Sequence, residues 1–283
     1  MVSRSYTGHG HRRAFEGLSD HPTESLCQRL EGMLDFADIP ITILAGGLGT
    51  RLRSVLPTRP KVLALVQGRP FLIYLLDQLA AVGAKEIVFC VGYMADTVEE
   101  TLGDQYQAIR LTYSREKEPL GTGGALRQAL SFFSSDPVLV MNGDSFMDAD
   151  LAGYLHWFLQ KGLEASLALA QVFDTSRFGQ VTVDEDERIM RFEEKGSHQG
   201  PGWINAGIYL LRKEILQLIP EGMNYSLEGG LFPNLLPERL YGYRSEGKFI
   251  DIGTPESYSQ AENFFATRPA SSSLPEVDRD QGD

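Results

Sequence analysis

Three stretches of this chain bring together residue types suited to handling phosphate. The first is Leu44-Ala45-Gly46-Gly47-Leu48-Gly49-Thr50-Arg51-Leu52, directly behind a short apolar run. Glycines after a strand let backbone N–H groups close on phosphate oxygens with no Cβ in the way. No Gly-Lys-Ser/Thr follows, so this is not a Walker loop. The third glycine of G-x-G-x-x-G would fall on Leu52, so it is not a dinucleotide fingerprint either. Arg51 instead closes the loop with a planar fork that can bridge several phosphate oxygens. Lys61, behind Pro60, adds a second cation ten residues on. The second stretch, Glu118-Pro119-Leu120-Gly121-Thr122-Gly123-Gly124-Ala125-Leu126, is stiffened by Pro119 and has glycines against which a flat ligand can lie. The third pairs Asp144, in Val140-Met141-Asn142-Gly143-Asp144, with Asp251, in Phe249-Ile250-Asp251-Ile252-Gly253. Each aspartate closes an apolar run, and Mg²⁺ is commonly held by one or two carboxylates plus phosphate oxygens and water. Each stretch also has a structural reading, as a tight strand-to-helix turn or a helix cap.

These stretches need a scaffold, and the hydrophobic pattern supplies one. Apolar runs at Pro40–Ala45, Glu86–Val91, Ile109–Ser114 and Pro137–Met141 read as buried strands. Between and after them, Phe71–Val82, Thr97–Leu102, Gly123–Phe133 and Leu151–Leu159 read as helices. That alternation predicts an α/β fold with a mostly parallel, mixed central sheet and helices on both faces. Closely spaced strands at Ala165–Val172, Gln180–Val183, Arg188–Glu193 and Trp203–Leu211 predict an antiparallel or mixed extension. A last strand, Lys248–Ile252, precedes a helix over Pro255–Phe265. Residues 1–38 are read as an N-terminal extension, partly disordered or helical. Residues 39–266 form the one α/β domain, and 267–283 a disordered acidic tail.

Composition narrows the partners. The 283 residues carry 26 Lys+Arg against 38 Asp+Glu, a net charge of −12, which argues against nucleic acid or an anionic membrane surface. No apolar run approaches the roughly 20 residues of a membrane span. Two cysteines, Cys27 and Cys90, form no framework, so a reducing cytoplasm is the default compartment.

From about Pro40 to Phe265 the ordered motifs LAGGLGTRL, RPK, EPLGTGGAL, NGD, FEEK, NAGIY and IDIGTPE resemble those of the sugar-1-phosphate nucleotidyltransferases, or nucleotide-sugar pyrophosphorylases. KEPLGTGGAL and GKFIDIGTPE look most like the D-glycero-D-manno-heptose 1-phosphate guanylyltransferases. The resemblance implies a Rossmann-like nucleotide-diphospho-sugar transferase fold and transfer of a nucleotidyl group from an NTP to a sugar 1-phosphate. It also implies roles. Leu44, Ala45, Gly46, Gly47, Gly49 and Thr50 would bind the nucleotide, with Arg51 on the triphosphate and Lys61 on the reacting phosphates. Glu118, Gly121, Thr122 and Gly123 would face the base. Glu194 and Lys195 would hold the sugar phosphate, Asn205 and Gly179 the sugar ring, and Asp144 with Asp251 the Mg²⁺. The chain departs from the family where Pro-Leu-Thr becomes Ser54-Val55-Leu56 and Pro-Lys-Pro becomes Pro60-Lys61-Val62.

Such a reaction needs no covalent intermediate, because the sugar phosphate oxygen is already an anionic nucleophile. The task is to bring two polyanions into line and neutralise the charge growing on pyrophosphate. A carboxylate at Glu118 would favour guanine, whose N1–H and N2 amine are adjacent donors, whereas uracil and thymine offer one donor between two carbonyls. GTP is therefore the expected donor and a heptose or mannose-type 1-phosphate the expected acceptor, the alternative being the same reaction with UTP, dTTP or CTP and another hexose 1-phosphate; self-association is left open. A glycosyltransferase reading rests on Asp148-Ala149-Asp150, an Asp-x-Asp spacing, but leaves Arg51 and its glycine loop unexplained. A nucleotide-sugar sensor would be expected to lack Arg51, Lys61 or one of the two aspartates, and none is missing.

Overall fold

The computed structural model describes residues 34–52, 55–192 and 199–266. In chain order the strands are β1 (Ile41–Leu44), β2 (Leu65–Val66), β3 (Arg69–Pro70), β4 (Glu86–Val91), β5 (Gln105–Tyr106), β6 (Ile109–Arg115) and β7 (Val138–Asn142). They continue with β8 (Ser145–Met147), β9 (Ala165–Val172), β10 (Val181–Val183), β11 (Ile189–Phe192), β12 (Gly202–Leu211), β13 (Leu240–Ser245) and β14 (Phe249–Asp251). The helices are α1 (Phe71–Ala81), α2 (Ala95–Leu102), α3 (Gly121–Ala129), α4 (Leu151–Gln160), α5 (Lys213–Gln217), α6 (Phe232–Leu235) and α7 (Pro255–Ala266).

Eight strands form one sheet in the order β13-β9-β12-β7-β1-β4-β6-β5. At its centre β7, β1, β4 and β6 run parallel, which explains their almost continuous apolar character, since such strands are buried on both faces. β12 enters antiparallel between β7 and β9, while β13 lies parallel to β9 at the edge. The period-2 alternation sorts strand side chains into two cores. Ile41, Ile43, Ile87, Phe89, Leu139 and Met141 face α1, α4 and α7. On the opposite face Val88, Cys90, Val138 and Val140 meet Ala125, Leu126 and Ala129 of α3 and Ile215 and Leu216 of α5. Helices therefore cover both faces of a mixed, mostly parallel sheet, as the alternating pattern implies.

The structure departs from the sequence reading at three points. β13 is absent from that reading because LYGYRS alternates too weakly to stand out; its burial comes from pairing with β9. The helix expected from Gly123 begins at Gly121 and tightens into a 3₁₀ turn at Leu130–Phe132. Phe36, placed by the sequence reading in the N-terminal extension, is 3% exposed and packs into the first core.

Candidate active site

The carboxyl ends of β1, β4, β6 and β7 open into a cavity of about 290 Å³, where open α/β sheets place their ligands. Leu44, Gly46, Gly47, Lys61, Glu116, Gly121, Thr122, Asn142, Asp144 and Asn224 line it. A second cavity of about 790 Å³ adjoins it and is lined by Arg51, Arg177, Gly179, Asn205, Glu228 and Asp251, among others. Asn142 and Asp144 belong to both walls. Asn142 Oδ1, though buried, has no hydrogen-bond partner. Asp144 follows β7 after Gly143 and is ion-paired to Lys61 Nζ, so the carboxylate between the cavities carries a cation from the 3₁₀ turn Lys61–Leu63.

The glycine loop after β1 is anchored by the Ala45 N–H to Cys90 O at 2.8 Å and by the Gly143 N–H to Leu44 O at 2.9 Å. A Cβ on Gly46 would stand 2.7 Å from Glu116 Oε1 and 3.2 Å from the Gly92 nitrogen, so a side chain there would push the carboxylate out of its present position. Ala45 is buried and Thr50 exposed, and neither lines the two cavities; Gly49 sits beside Lys61 in a small adjoining pocket. Arg51, in a 3₁₀ turn over Thr50–Leu52, stands on the second cavity rather than beside Gly46 and Gly47.

The structure sets Glu116 rather than Glu118 in the wall of the first cavity. Glu118 is exposed and lines neither cavity, whereas Glu116 does line the first. Glu116 extends the β6 pairing through its N–H to Val91 O at 2.8 Å, and its Oε2 accepts from the Leu120 N–H at 2.8 Å. Burial pushes its carboxyl above the usual glutamate range, partly offset by that Leu120 N–H. The strand-end logic applied to Asp144 would have found it.

The second glycine turn also differs from expectation. The Gly123 and Gly124 N–H groups donate to Tyr225 O at 2.8 and 3.2 Å and are not free for a base. A Cβ on Gly121 would meet Tyr225 O at 2.7 Å, and one on Gly124 would meet Met223 O at 2.4 Å. These glycines admit the 223–225 loop against α3, and Gly121 is the one of the three that lines the cavity, together with Pro119, Thr122 and Ala125 of the same stretch. Thr122 Oγ1 donates to Glu228 Oε2 at 3.2 Å and accepts from the Leu227 N–H at 2.9 Å.

Gly179 and Asn205, to which the family resemblance gives the sugar ring, line the second cavity. Asn205 Nδ2 donates to the Tyr209 hydroxyl at 3.1 Å, and Asn142 Nδ2 to the same oxygen at 3.3 Å. That hydroxyl donates to Glu228 Oε1 at 3.3 Å, and burial raises the Tyr209 phenol well above its ordinary value, keeping it neutral. The chain Thr122–Glu228–Tyr209–Asn142 thus ties the two cavity walls together; sequence reasoning missed Glu228, Tyr209 and Asn142. Glu194 and Lys195 lie outside the described residues.

Asp144 and Asp251 both face the second cavity. The Ile252 N–H donates to Asp144 O at 2.9 Å, and Asp251 pairs with Ser145 in the β14–β8 ladder. Two hard carboxylates from adjacent segments suit Mg²⁺, with phosphate oxygens and water completing its shell. Among the described residues no cluster of three or more His, Cys, Asp or Glu could hold a metal. Neither Asp148 nor Asp150 lines these cavities, and Asp150 caps α4 by accepting from the Gly153 N–H at 2.9 Å. Burial lifts the Cys90 thiol to about 12, and His156 is exposed on α4, so neither is a nucleophile or base for this site.

A family model described as nucleotidyl transferase matches residues 41–268. The chain belongs to that family. Similar relatives include a D-glycero-alpha-D-manno-heptose 1-phosphate guanylyltransferase of Campylobacter jejuni. It is 39% identical over 216 residues, covering 76% of this chain and 95% of the relative. A mannose-1-phosphate guanylyltransferase of Mycobacterium tuberculosis is 34% identical over 78% of this chain and 62% of its own length. Among solved structures, HddC from Yersinia pseudotuberculosis complexed with GMP-PN superposes with a TM-score of 0.73 at 33% identity. The match covers 80% of this chain and 99% of that one. This nucleotidyl transferase therefore has its two cavities where the family fold carries its strand ends. Among the described residues no helix is long and apolar enough to cross a membrane.

Proposed function

We propose that this nucleotidyl transferase moves GMP from GTP onto a sugar 1-phosphate, of a heptose or mannose type, and releases pyrophosphate. The observation that carries the reading is the meeting of two cavities at Asp144, one with the half-buried carboxylate of Glu116 and the other lined by Asn205, Gly179 and Glu228. Glu116 takes over the part first given to Glu118, accepting from guanine N1–H and N2–H. The similar guanylyltransferases support that base and both sugar classes. The first cavity would take the nucleotide and the second the sugar 1-phosphate, the two phosphates facing each other across Asp144.

An oxygen of the sugar phosphate forms a bond to the α-phosphorus of GTP, the bond from that phosphorus to the β-bridging oxygen breaks, and its electron pair leaves with pyrophosphate. Lys61 and Arg51 would neutralise the oxygens that crowd together, which supplies much of the acceleration in phosphoryl-type transfers. Lys195, assigned by family resemblance, would add a cation to the sugar phosphate. Asp144 and Asp251 would hold Mg²⁺, which when bound screens phosphate charge and orients the groups.

The test is a matrix of four NTPs against several sugar 1-phosphates, read by pyrophosphate release. GTP with heptose or mannose 1-phosphate is expected to exceed UTP, dTTP and CTP by about tenfold or more in kcat/KM. A better rate with UTP removes the base assignment. Absence of pyrophosphate from every pair removes the reaction.

A further inference from the structure

Both carboxylates assigned to the metal are already the partners of cations. Asp144 holds Lys61. Asp251 holds Arg177, whose Nη2 donates to Oδ1 at 3.1 Å and reaches Oδ2 at 3.5 Å. Arg177 comes from the segment between β9 and β10 and lines the second cavity together with Asp251. Its guanidinium carbon lies 5.0 Å from the Phe178 ring centroid, a face that steadies the side chain. Asp251 Oδ2 also accepts from the Gly253 N–H at 3.0 Å, so the backbone fixes the carboxylate's orientation while Arg177 supplies its charge partner.

We propose that Arg177 is an exchange partner at the metal carboxylate. A divalent ion and the guanidinium compete for Asp251, and the guanidinium released by the ion engages the phosphate of the sugar 1-phosphate. The inference rests on the reading of Asp251 as a metal ligand. Mg²⁺ demands near-ideal octahedral geometry from its oxygens. A guanidinium nitrogen standing on the face of the same carboxylate, 3.1 Å from one oxygen and 3.5 Å from the other, obstructs it. Arg177 stays charged at any working pH, so once displaced it needs another anion. Glu256 is a carboxylate already within the electrostatic reach of Arg177, and a sugar phosphate bound in the second cavity would be the anion facing the same wall as the freed guanidinium. The consequence is positive coupling: metal strengthens phosphate binding, and phosphate strengthens metal binding by the same factor. Lys61 on Asp144 has the same arrangement and would act in parallel.

The experiment titrates Mn²⁺ into the full chain without nucleotide and reads free Mn²⁺ by electron paramagnetic resonance. It is repeated with mannose 1-phosphate and with inorganic phosphate, a probe independent of the sugar. Because Arg177 is exposed, its replacement spares the core, and melting curves confirm folding. Arg177→Gln is expected to tighten Mn²⁺ by about threefold and to lower the Mn²⁺–phosphate coupling factor by a similar amount, the worth of a part-exposed pair. Arg177→Lys, which keeps the charge, is expected to retain most of the coupling. Unchanged coupling in Arg177→Gln overturns the exchange, whether Mn²⁺ affinity stays at the wild-type value or tightens through charge removal alone. Asp251→Asn separates the two readings. If it leaves Mn²⁺ affinity intact, the metal assignment falls and the exchange with it. If it weakens Mn²⁺ while Arg177→Gln leaves coupling intact, only the exchange falls.

Discussion

A carboxylate can recognise two adjacent N–H donors only if it is held in place and shielded from water, and at the residue scale Glu116 meets both conditions. Its Oε2 is fixed by the Leu120 N–H and its Oε1 approaches the Gly46 backbone, whereas Glu118 faces solvent. Glu116→Gln is expected to lower kcat/KM for GTP by about ten- to hundredfold, since charged hydrogen bonds contribute roughly 1.5–3 kcal/mol. Glu118→Gln is expected to change it by less than about twofold, as exposed charges contribute little. Parallel steady-state assays of both variants check the pair. The raised carboxyl of Glu116 adds a pH dependence. The folded chain binds this proton more tightly than the unfolded chain, so the group's contribution to stability is lost as pH rises from the usual glutamate range through the raised value. Guanine recognition needs the ionised form, so KM for GTP is expected to rise as pH falls through that raised value, and Glu116→Gln to flatten the rise. Lys61→Met is expected to reduce kcat about hundredfold or more, by loss of a preorganised cation at the reacting phosphates.

At the scale of elements, strand ends and one loop contact build the site. The parallel strands β1, β6 and β7 deliver the glycine loop, Glu116 and Asp144 to one end of the sheet. α3 then leans on the 223–225 loop through glycines that leave no room for a Cβ. Gly124→Ala would place a methyl 2.4 Å from Met223 O. Overpacking costs typically about 1–3 kcal/mol and exceeds the helix-propensity gain of up to about 1 kcal/mol. A melting temperature lower by a few degrees is therefore expected in differential scanning fluorimetry. KM for GTP is expected to rise as well, because Thr122 and the loop that carries Glu228 would separate. A Gly124→Ala protein with wild-type melting and KM would show that this loop is free to move aside.

For the whole molecule, one sheet with a core on each face supports both cavities, and the packed chain already includes Phe36. Removal of residues 1–34 takes away none of the described residues of that core or of either cavity wall. The shortened protein is expected to release pyrophosphate within about twofold of the full chain. A large loss in a folded truncation would assign residues 1–34 a part in the active assembly. The net charge of −12 coexists with a site for two polyanions because Arg51, Lys61 and Arg177 are gathered at the cavities.

The alternation of apolar runs and helical periods was enough to identify a parallel-cored α/β fold, because those patterns report burial directly. Local spacing likewise marked Lys61, Asp144 and Asp251, since strand-end glycines and carboxylates are read from the chain alone. Only the tertiary structure separated Glu116 from Glu118, because the two differ in burial and in the Leu120 contact, not in residue type. It also placed Arg177 on Asp251 across 74 positions of sequence and joined Thr122, Glu228 and Tyr209 into one network. Contacts of that range are created by the packing of separate elements, and no periodicity along the chain encodes them.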